Sequence, residues 1–284
     1  MRTRDWAGKK TRWRRPPVGV LVVLIALLAV GGWWVGSTGD SPEPIAAPPP
    51  SSTRLAAVAP PTTVPPTFAD PGGSNLRLGV GRAVGSPATI ARANGARVPL
   101  FSAAGDTEPG DVVDNPTWEG LPVTFLVMEQ RGDWLNGQIS RRPNQSTAWV
   151  RKADVTLEQT PYKIRVDTAN HRLVLTDRDR TVLDVEVAVG TGGTPTPTGT
   201  FFVDGTVQLT DPTGPYGTHQ VSVAAFSEVL TSFGGGNGQI AIHGTNRPGL
   251  MGSNVSNGCV RMTNEDVTKL ATMVPVGTPV EISG

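Results

Sequence analysis

Residues 240–262 read IAIHGTNRPGLMGSNVSNGCVRM, and what this stretch can do chemically governs the reading of the rest of the chain. An apolar run ends on His243, and sixteen residues later, after a loop rich in Gly, Ser and Asn, comes Cys259, the chain's one cysteine. A thiol with an ordinary pKa near about 8.5 is only slightly ionised at neutral pH, so a nucleophilic cysteine needs a neighbouring base or cation. His243 is the suited base: a rigid strand end holds it, and the loop is long enough to curl back and bring the thiol to it. Gly258 leaves room for close approach, and the amides of Asn257, Gly258 and Cys259 are candidate donors to a tetrahedral oxyanion, with Ser256 and Gly244 supporting them. Arg261 can raise the thiolate population or hold a substrate carboxylate, with a surface or structural salt bridge as the plain alternative. Thr245 and Asn246 are candidates for holding a substrate backbone, although a polar turn at a strand end explains them as well. An isolated Cys is usually a small buried hydrophobe and an isolated His a satisfied core residue; the joint pattern is what points to acyl transfer.

Around this stretch the sequence is strand-like. Tyr162–Val166, Arg172–Thr176, Val182–Val189, Gly199–Val203, Gln220–Ala225, Gln239–His243 and Thr278–Ile282 predict strands. Asn264–Met273 predicts one helix, with Asn264 as candidate N-cap, Glu265 and Asp266 in the first turn, and Pro275 and Gly277 ending it. Upstream, Arg97–Phe101, Val123–Glu129, Trp134–Ile139 and Ala148–Arg151 are short apolar or alternating runs divided by turn residues, which suits a small barrel over 76–158.

Charge and composition limit the function classes. The 284 residues carry a formal net charge of +1, but seven bases between Arg2 and Arg15 face Asp5 alone. Setting those seven and that one aside from the totals of 25 and 24 leaves a body of net −5, a poor partner for a phosphate backbone, so no nucleic-acid binding is expected. His171, His219 and His243 are scattered and give no metal-ligand cluster, so neither a metal nor a cofactor is expected.

The N-terminal quarter reads as an export and tethering device. Residues 1–15 form a basic cytoplasmic segment, and residues 16–39 carry no charge. Within them, Val18–Val35 as a helix spans roughly 27 Å, enough to cross a bilayer, with the basic side kept cytoplasmic. A cleaved secretory signal is the competing reading, and either way the body is exported. Residues 40–75 are Pro-rich and predict an extended linker that could hold the body on the order of 100 Å from the membrane, unless it is a tether with no length requirement. A solitary thiol outside the cytoplasm has no intramolecular disulfide partner and is a liability unless buried or used, which again singles out Cys259.

Two resemblances follow from these residues. His243-Gly244, then Ser256-Asn257-Gly258-Cys259-Val260-Arg261, resembles the signature of the L,D-transpeptidase catalytic (YkuD-type) domain, a His-Gly or His-Ser pair followed by Ser-His-Gly-Cys and a hydrophobic-Arg or hydrophobic-Asn pair. The likeness covers roughly residues 161–284, with GTGGTPTPTGTF (190–201) and DPTGPYGTH (211–219) similar to the family's strand-linking loops. It departs at Asn257, where many members have a second His; Asn does not titrate near neutral pH, which leaves His243 as the base. Residues 132–155, GDWLNGQISRRPNQSTAWVRKADV, more loosely resemble bacterial SH3-like domains through Trp134 and Trp149. Trp118, Trp134 and Trp149 suit packing better than a ligand platform.

With the apolar run read above as an N-terminal transmembrane helix, the resemblances imply a mainly β protein: a small SH3-like β-barrel, then a β-sandwich catalytic domain over 159–284 with a short helix. They imply a Cys259 thioester to a peptidoglycan stem tetrapeptide, loss of D-Ala, and attack by an amine of a second stem, on the wall side of the cell membrane. Tyr216 and His219 are candidate lining of the donor groove, against plain loop packing. The rivals are an L,D-carboxypeptidase using water and a non-catalytic wall-binding protein. A papain-like wall amidase or endopeptidase places its Cys before its His, the reverse of this chain.

Overall fold

The computed structural model describes residues 85–117 and 120–284. The expected cytoplasmic segment, membrane helix and Pro-rich linker, together with Trp118, lie outside the described residues. Among the described residues no helix is long and apolar enough to cross a membrane.

The first part is built from seven strands: β1 (Ala88–Ala93), β2 (Arg97–Leu100), β3 (Asp111–Asp114), β4 (Thr124–Arg131), β5 (Trp134–Gln138), β6 (Thr147–Arg151) and β7 (Val155–Thr160). Five of them form an antiparallel sheet in the order β6-β5-β4-β1-β7, while β2 and β3 pair as a hairpin attached through a Phe101–Trp149 bridge. Alternation puts Phe125, Val127, Leu135 and Val150 into one apolar core. Outside that core Arg131 lies 4.9 Å over the Trp149 ring and Arg151 lies 5.5 Å over Trp134.

The second part contains β8 (Tyr162–Asp167), β9 (Arg172–Asp177), β10 (Arg180–Glu186), β11 (Val189–Gly190), β12 (Gly199–Gln208), β13 (His219–Phe226), β14 (Gln239–His243), β15 (Asn254–Ser256), β16 (Val260–Arg261), helix α1 (Asn264–Met273) and β17 (Pro279–Ser283). Eight of the strands form one sheet in the order β10-β9-β8-β17-β12-β13-β14-β16. The sheet curls until Ile164, Leu175, Phe201, Val223, Ile242, Val260 and Leu270 of α1 share a single core. Among the described residues the architecture is mainly β, a half-barrel or sandwich with one short α-helix. Each fully buried Phe or Leu here contributes roughly 1.5–3 kcal/mol, so the period-2 pattern fixes which face of each strand turns inward.

Helix α1 differs from expectation at its start. Its N-cap is Thr263, whose side-chain oxygen accepts the Asp266 amide at 3.1 Å, rather than Asn264, which opens the helix. Both residue types cap well, so sequence alone does not choose between neighbours. The result leaves the Asn264 side chain free to reach elsewhere.

The two β parts touch through side chains. Gln138 donates to Thr200 O (2.8 Å), Ser140 donates to the Asp204 carboxylate (2.5 Å), and Leu126 and Ala88 pack on Phe202 and Ala224. These contacts lie on the outer face of the β12–β13 region, away from the main core.

Candidate active site

β14 and β16 run parallel, with Ile242 opposite Val260 and His243 opposite Arg261. Ile240, Ile242 and Val260 are in the core, so Ala241, His243 and Arg261 project from the opposite face. Cys259, two residues before Arg261 and just ahead of β16, falls on that same side, near enough to Arg261 for the guanidinium charge to act on the thiol. Parallel register thus brings the expected nucleophile, base and guanidinium to one surface.

The turn holding the thiol is tightly braced. Ser256 is buried; its hydroxyl donates to Cys259 O (2.5 Å) and accepts the Gly258 amide (3.1 Å). Gly258 has φ 114°, and a Cβ there would come 3.0 Å from Ile240 Cδ1, so no other residue fits without strain. Because the Gly258 N–H is already taken by Ser256, the expectation that it serves an oxyanion needs correction. Cys259 and Asn257, the latter exposed, keep that role as candidates. Sequence reasoning missed Thr194, whose hydroxyl donates to Ser256 O (3.2 Å) from the 190–201 loop. Gly, Thr and Pro content marks that loop in the sequence, but its closeness to Ser256 is a tertiary fact.

His243 is 3% exposed and donates from Nδ1 to Gly244 O at 2.6 Å; a carbonyl can only accept, so Nδ1 carries the proton and Nε2 is left as the acceptor. The Tyr216 ring packs against the imidazole, centroids 4.8 Å apart at 55°. Burial pushes the imidazole pKa down to about 4, with the Gly244 bond opposing and the Arg261 charge adding to the shift. Burial likewise pushes the Cys259 thiol up, while the Ala241 amide and Arg261 pull it down. Cys259 as a residue is half-buried. Burial thus favours the uncharged form of both groups at neutral pH, a protonated thiol and a neutral imidazole.

Arg261 is half-buried beside the thiol, and its Nε is buried with no hydrogen-bond partner. Of the surface or structural salt bridge weighed for it, none forms among the described residues. Thr245 and Asn246 line an open groove of about 460 Å³ with Thr213, Thr263 and Asn264, just beyond the His243 end of β14. His219 is not brought to Tyr216. Gln220 is the residue opposite His243, so alternation turns His219 to the other face, where Nδ1 meets Thr268 Oγ1 of α1 at 3.2 Å. Among the described residues no group of three or more His, Cys, Asp or Glu is placed to hold a metal ion.

The YkuD family, described as the L,D-transpeptidase catalytic domain, matches residues 161–282. The YkuD protein of Bacillus licheniformis, an L,D-transpeptidase by name, is 31% identical over 176 residues, 62% of this chain and 96% of the relative. The Bacillus subtilis YkuD protein, named in the same way, is 37% identical over 123 residues, 43% of this chain and 66% of that one. A solved L,D-transpeptidase from Mycobacterium smegmatis is 17% identical, aligned over 78% of this chain and 100% of that one with a TM-score of 0.36. The assignment rests on the sequence matches, not on that superposition. With the His243 strand end and the Cys259 turn both inside the matched region, the chain belongs to the YkuD-type L,D-transpeptidase family.

Proposed function

We propose that this protein is a cysteine-dependent L,D-transpeptidase that cross-links peptidoglycan stem peptides. The observation that carries the reading is the in-register pairing of His243 with Arg261, which sets Cys259, the imidazole and a guanidinium whose Nε has no hydrogen-bond partner among the described residues on one face of the sheet.

In the first half-reaction His243 Nε2 takes the thiol proton as sulfur attacks the carbonyl carbon of the third stem residue. The Cys259 amide faces the developing oxyanion, and a donor in that place is worth about 10²–10³ in rate. Breakdown releases D-Ala, whose nitrogen takes the proton from His243, and leaves a thioester on Cys259. An amine of a second stem then attacks, gives its proton to His243, and leaves as the new amide while the thiol is regenerated. Arg261 suits a stem carboxylate. Thr245, Asn246 and Tyr216 line the approach.

Residues 76–158 are read as an SH3-like module, and residues 16–39 and 40–75 as anchor and stalk placing the active site on the wall side of the membrane. The test of the function is D-Ala release from stem tetrapeptide by the full chain, with and without an amine acceptor. Cross-linked product supports transpeptidation, whereas release without any cross-link would reassign the acceptor to water. No release together with no Cys259 adduct would leave a non-catalytic wall-binding protein.

A further inference from the structure

Asn264 sits outside the motif that carries the chemistry, yet its side chain ties helix α1 to two segments around the base. Oδ1 accepts the Thr245 amide at 3.1 Å, and Nδ2 donates to Pro212 O at 3.1 Å in the loop that carries Tyr216. Its backbone oxygen accepts the hydroxyls of Thr218 (3.2 Å) and Thr268 (2.7 Å). A Cβ built on either Gly217 or Gly244 would overlap Oδ1, so both glycines are required by the space this amide fills.

One of those contacts bears directly on His243. The Thr245 N–H and the Gly244 C=O belong to a single peptide plane. Asn264 holds the plane by its N–H edge, and the opposite edge is the carbonyl that accepts His243 Nδ1–H at 2.6 Å. Hydrogen bonds strung in this way polarise one another: an acceptor on the N–H makes the carbonyl a better acceptor in turn. The same side chain steadies, through Pro212, the loop whose Tyr216 ring covers the imidazole.

We infer that Asn264 is a positioning residue for the reaction proposed above, holding the Gly244–Thr245 peptide so that His243 keeps its Nδ1-protonated tautomer and presents a bare Nε2 to Cys259. The inference rests on that reading of the reaction for its kinetic arm only. Its structural arm concerns the tautomer and needs no turnover.

The experiment compares full-length wild type, Asn264→Ala and Asn264→Asp, each with nitrogen-labelled histidine. Asp keeps an acceptor for Thr245 and loses the donor to Pro212, so it separates the plane-holding role from general loop bracing. The expected result for Asn264→Ala is loss of the Nδ1–H tautomer signature at His243 and a fall of about 10²-fold in the rate of Cys259 acylation by a carbapenem, at little-changed KM for stem tetrapeptide. Asn264→Asp restores the signature and most of the rate. Wild-type tautomer and rate in Asn264→Ala would overturn the inference, as would loss of the tautomer in Asn264→Asp. If wild type forms no adduct while the alanine variant still loses the tautomer, the positioning stands and the proposed function falls. If wild type forms the adduct and the alanine variant is unaffected, the proposed function stands and the positioning role falls.

Discussion

Asn144 and Phe226 exchange two hydrogen bonds across the two β parts of the molecule. The Asn144 amide donates to Phe226 O and its oxygen accepts the Phe226 N–H, both at 2.8 Å, in the manner of a paired strand residue. Two positions earlier, Arg142 donates to Ser227 O (2.8 Å), Leu230 O (3.1 Å) and Asn237 O (3.1 Å) and lies 5.2 Å over the Phe226 ring. The β5–β6 hairpin therefore grips the connection between β13 and β14, the strand that ends on His243. The N-terminal part braces the catalytic sheet whatever else it binds.

Replacing Arg142 with Ala removes a charged donor to three carbonyls. The expected cost is about 2 kcal/mol of stability, given that a hydrogen bond from a charged group contributes about 1.5–3 kcal/mol and neighbours do not add fully. Denaturant unfolding checks the total. Hydrogen exchange should show faster opening in residues 227–238, and unchanged exchange there counts against the grip.

Ser256→Ala leaves the buried Gly258 amide and Cys259 O without their shared partner. An unsatisfied buried donor costs about 1–3 kcal/mol, and the loosened turn should slow acylation more than it weakens substrate binding. Gly258→Ala is expected to be worse, because φ 114° adds backbone strain of about 1–3 kcal/mol to the contact with Ile240. A Ser256→Ala enzyme with wild-type acylation would show that the brace has no part in placing the thiol.

Protonation of His243 links folding to pH. Its folded pKa of about 4 lies below the ordinary 6.5, so between these values the unfolded chain binds a proton that the folded one refuses. Stability should fall as pH drops through this window, by up to about 3 kcal/mol, and His243→Gln should remove that slope. For the same reason the acylation rate should show no imidazole inflection near 6.5, and should stay level between that pH and the lowered imidazole pKa of about 4. An inflection at 6.5 that disappears in His243→Gln would contradict the buried neutral base.

Asp204 acts in the opposite sense. It is half-buried between the two β parts, accepts from Ser140 (2.5 Å) and Gln239 (2.6 Å), and keeps a buried Oδ1 without a partner among the described residues. Burial raises its pKa above 3.8 despite those bonds. The folded state therefore holds a proton that the unfolded state releases above 3.8, and the stability this gives is lost as pH rises through the raised pKa. Asp204→Asn should flatten that fall, seen as a melting temperature that gains on wild type with increasing pH. Parallel curves for the two proteins would place the ionisation elsewhere.

Much of the site is legible in the sequence because its chemistry is local. His243 at the end of IAIH and Cys259 after Asn-Gly need only strand periodicity and the properties of a thiol. What stays hidden depends on register or on long-range contacts. Alternation along β13 turns His219 away, but only the pairing of Gln220 with His243 reveals which face is which. Asn is if anything the better cap than Thr, yet Thr263 takes the place, and that choice decides whether the Asn264 amide is available to brace the base. Strands β1, β3 and β7 lie outside the runs that periodicity picks out; VTLEQT, for instance, is a sheet edge with four exposed residues and shows no apolar alternation. Arg142 and Asn144 read as turn residues because their partners lie more than eighty positions away.

The most direct test of the central claim is the intact mass of the full chain after exposure to stem tetrapeptide or a carbapenem, alongside Cys259→Ala and His243→Ala. The account predicts one acyl adduct mapping to Cys259, absent from Cys259→Ala and formed about 10²–10⁴-fold more slowly by His243→Ala. An adduct that persists in Cys259→Ala, or a His243→Ala protein that acylates at the wild-type rate, would contradict it.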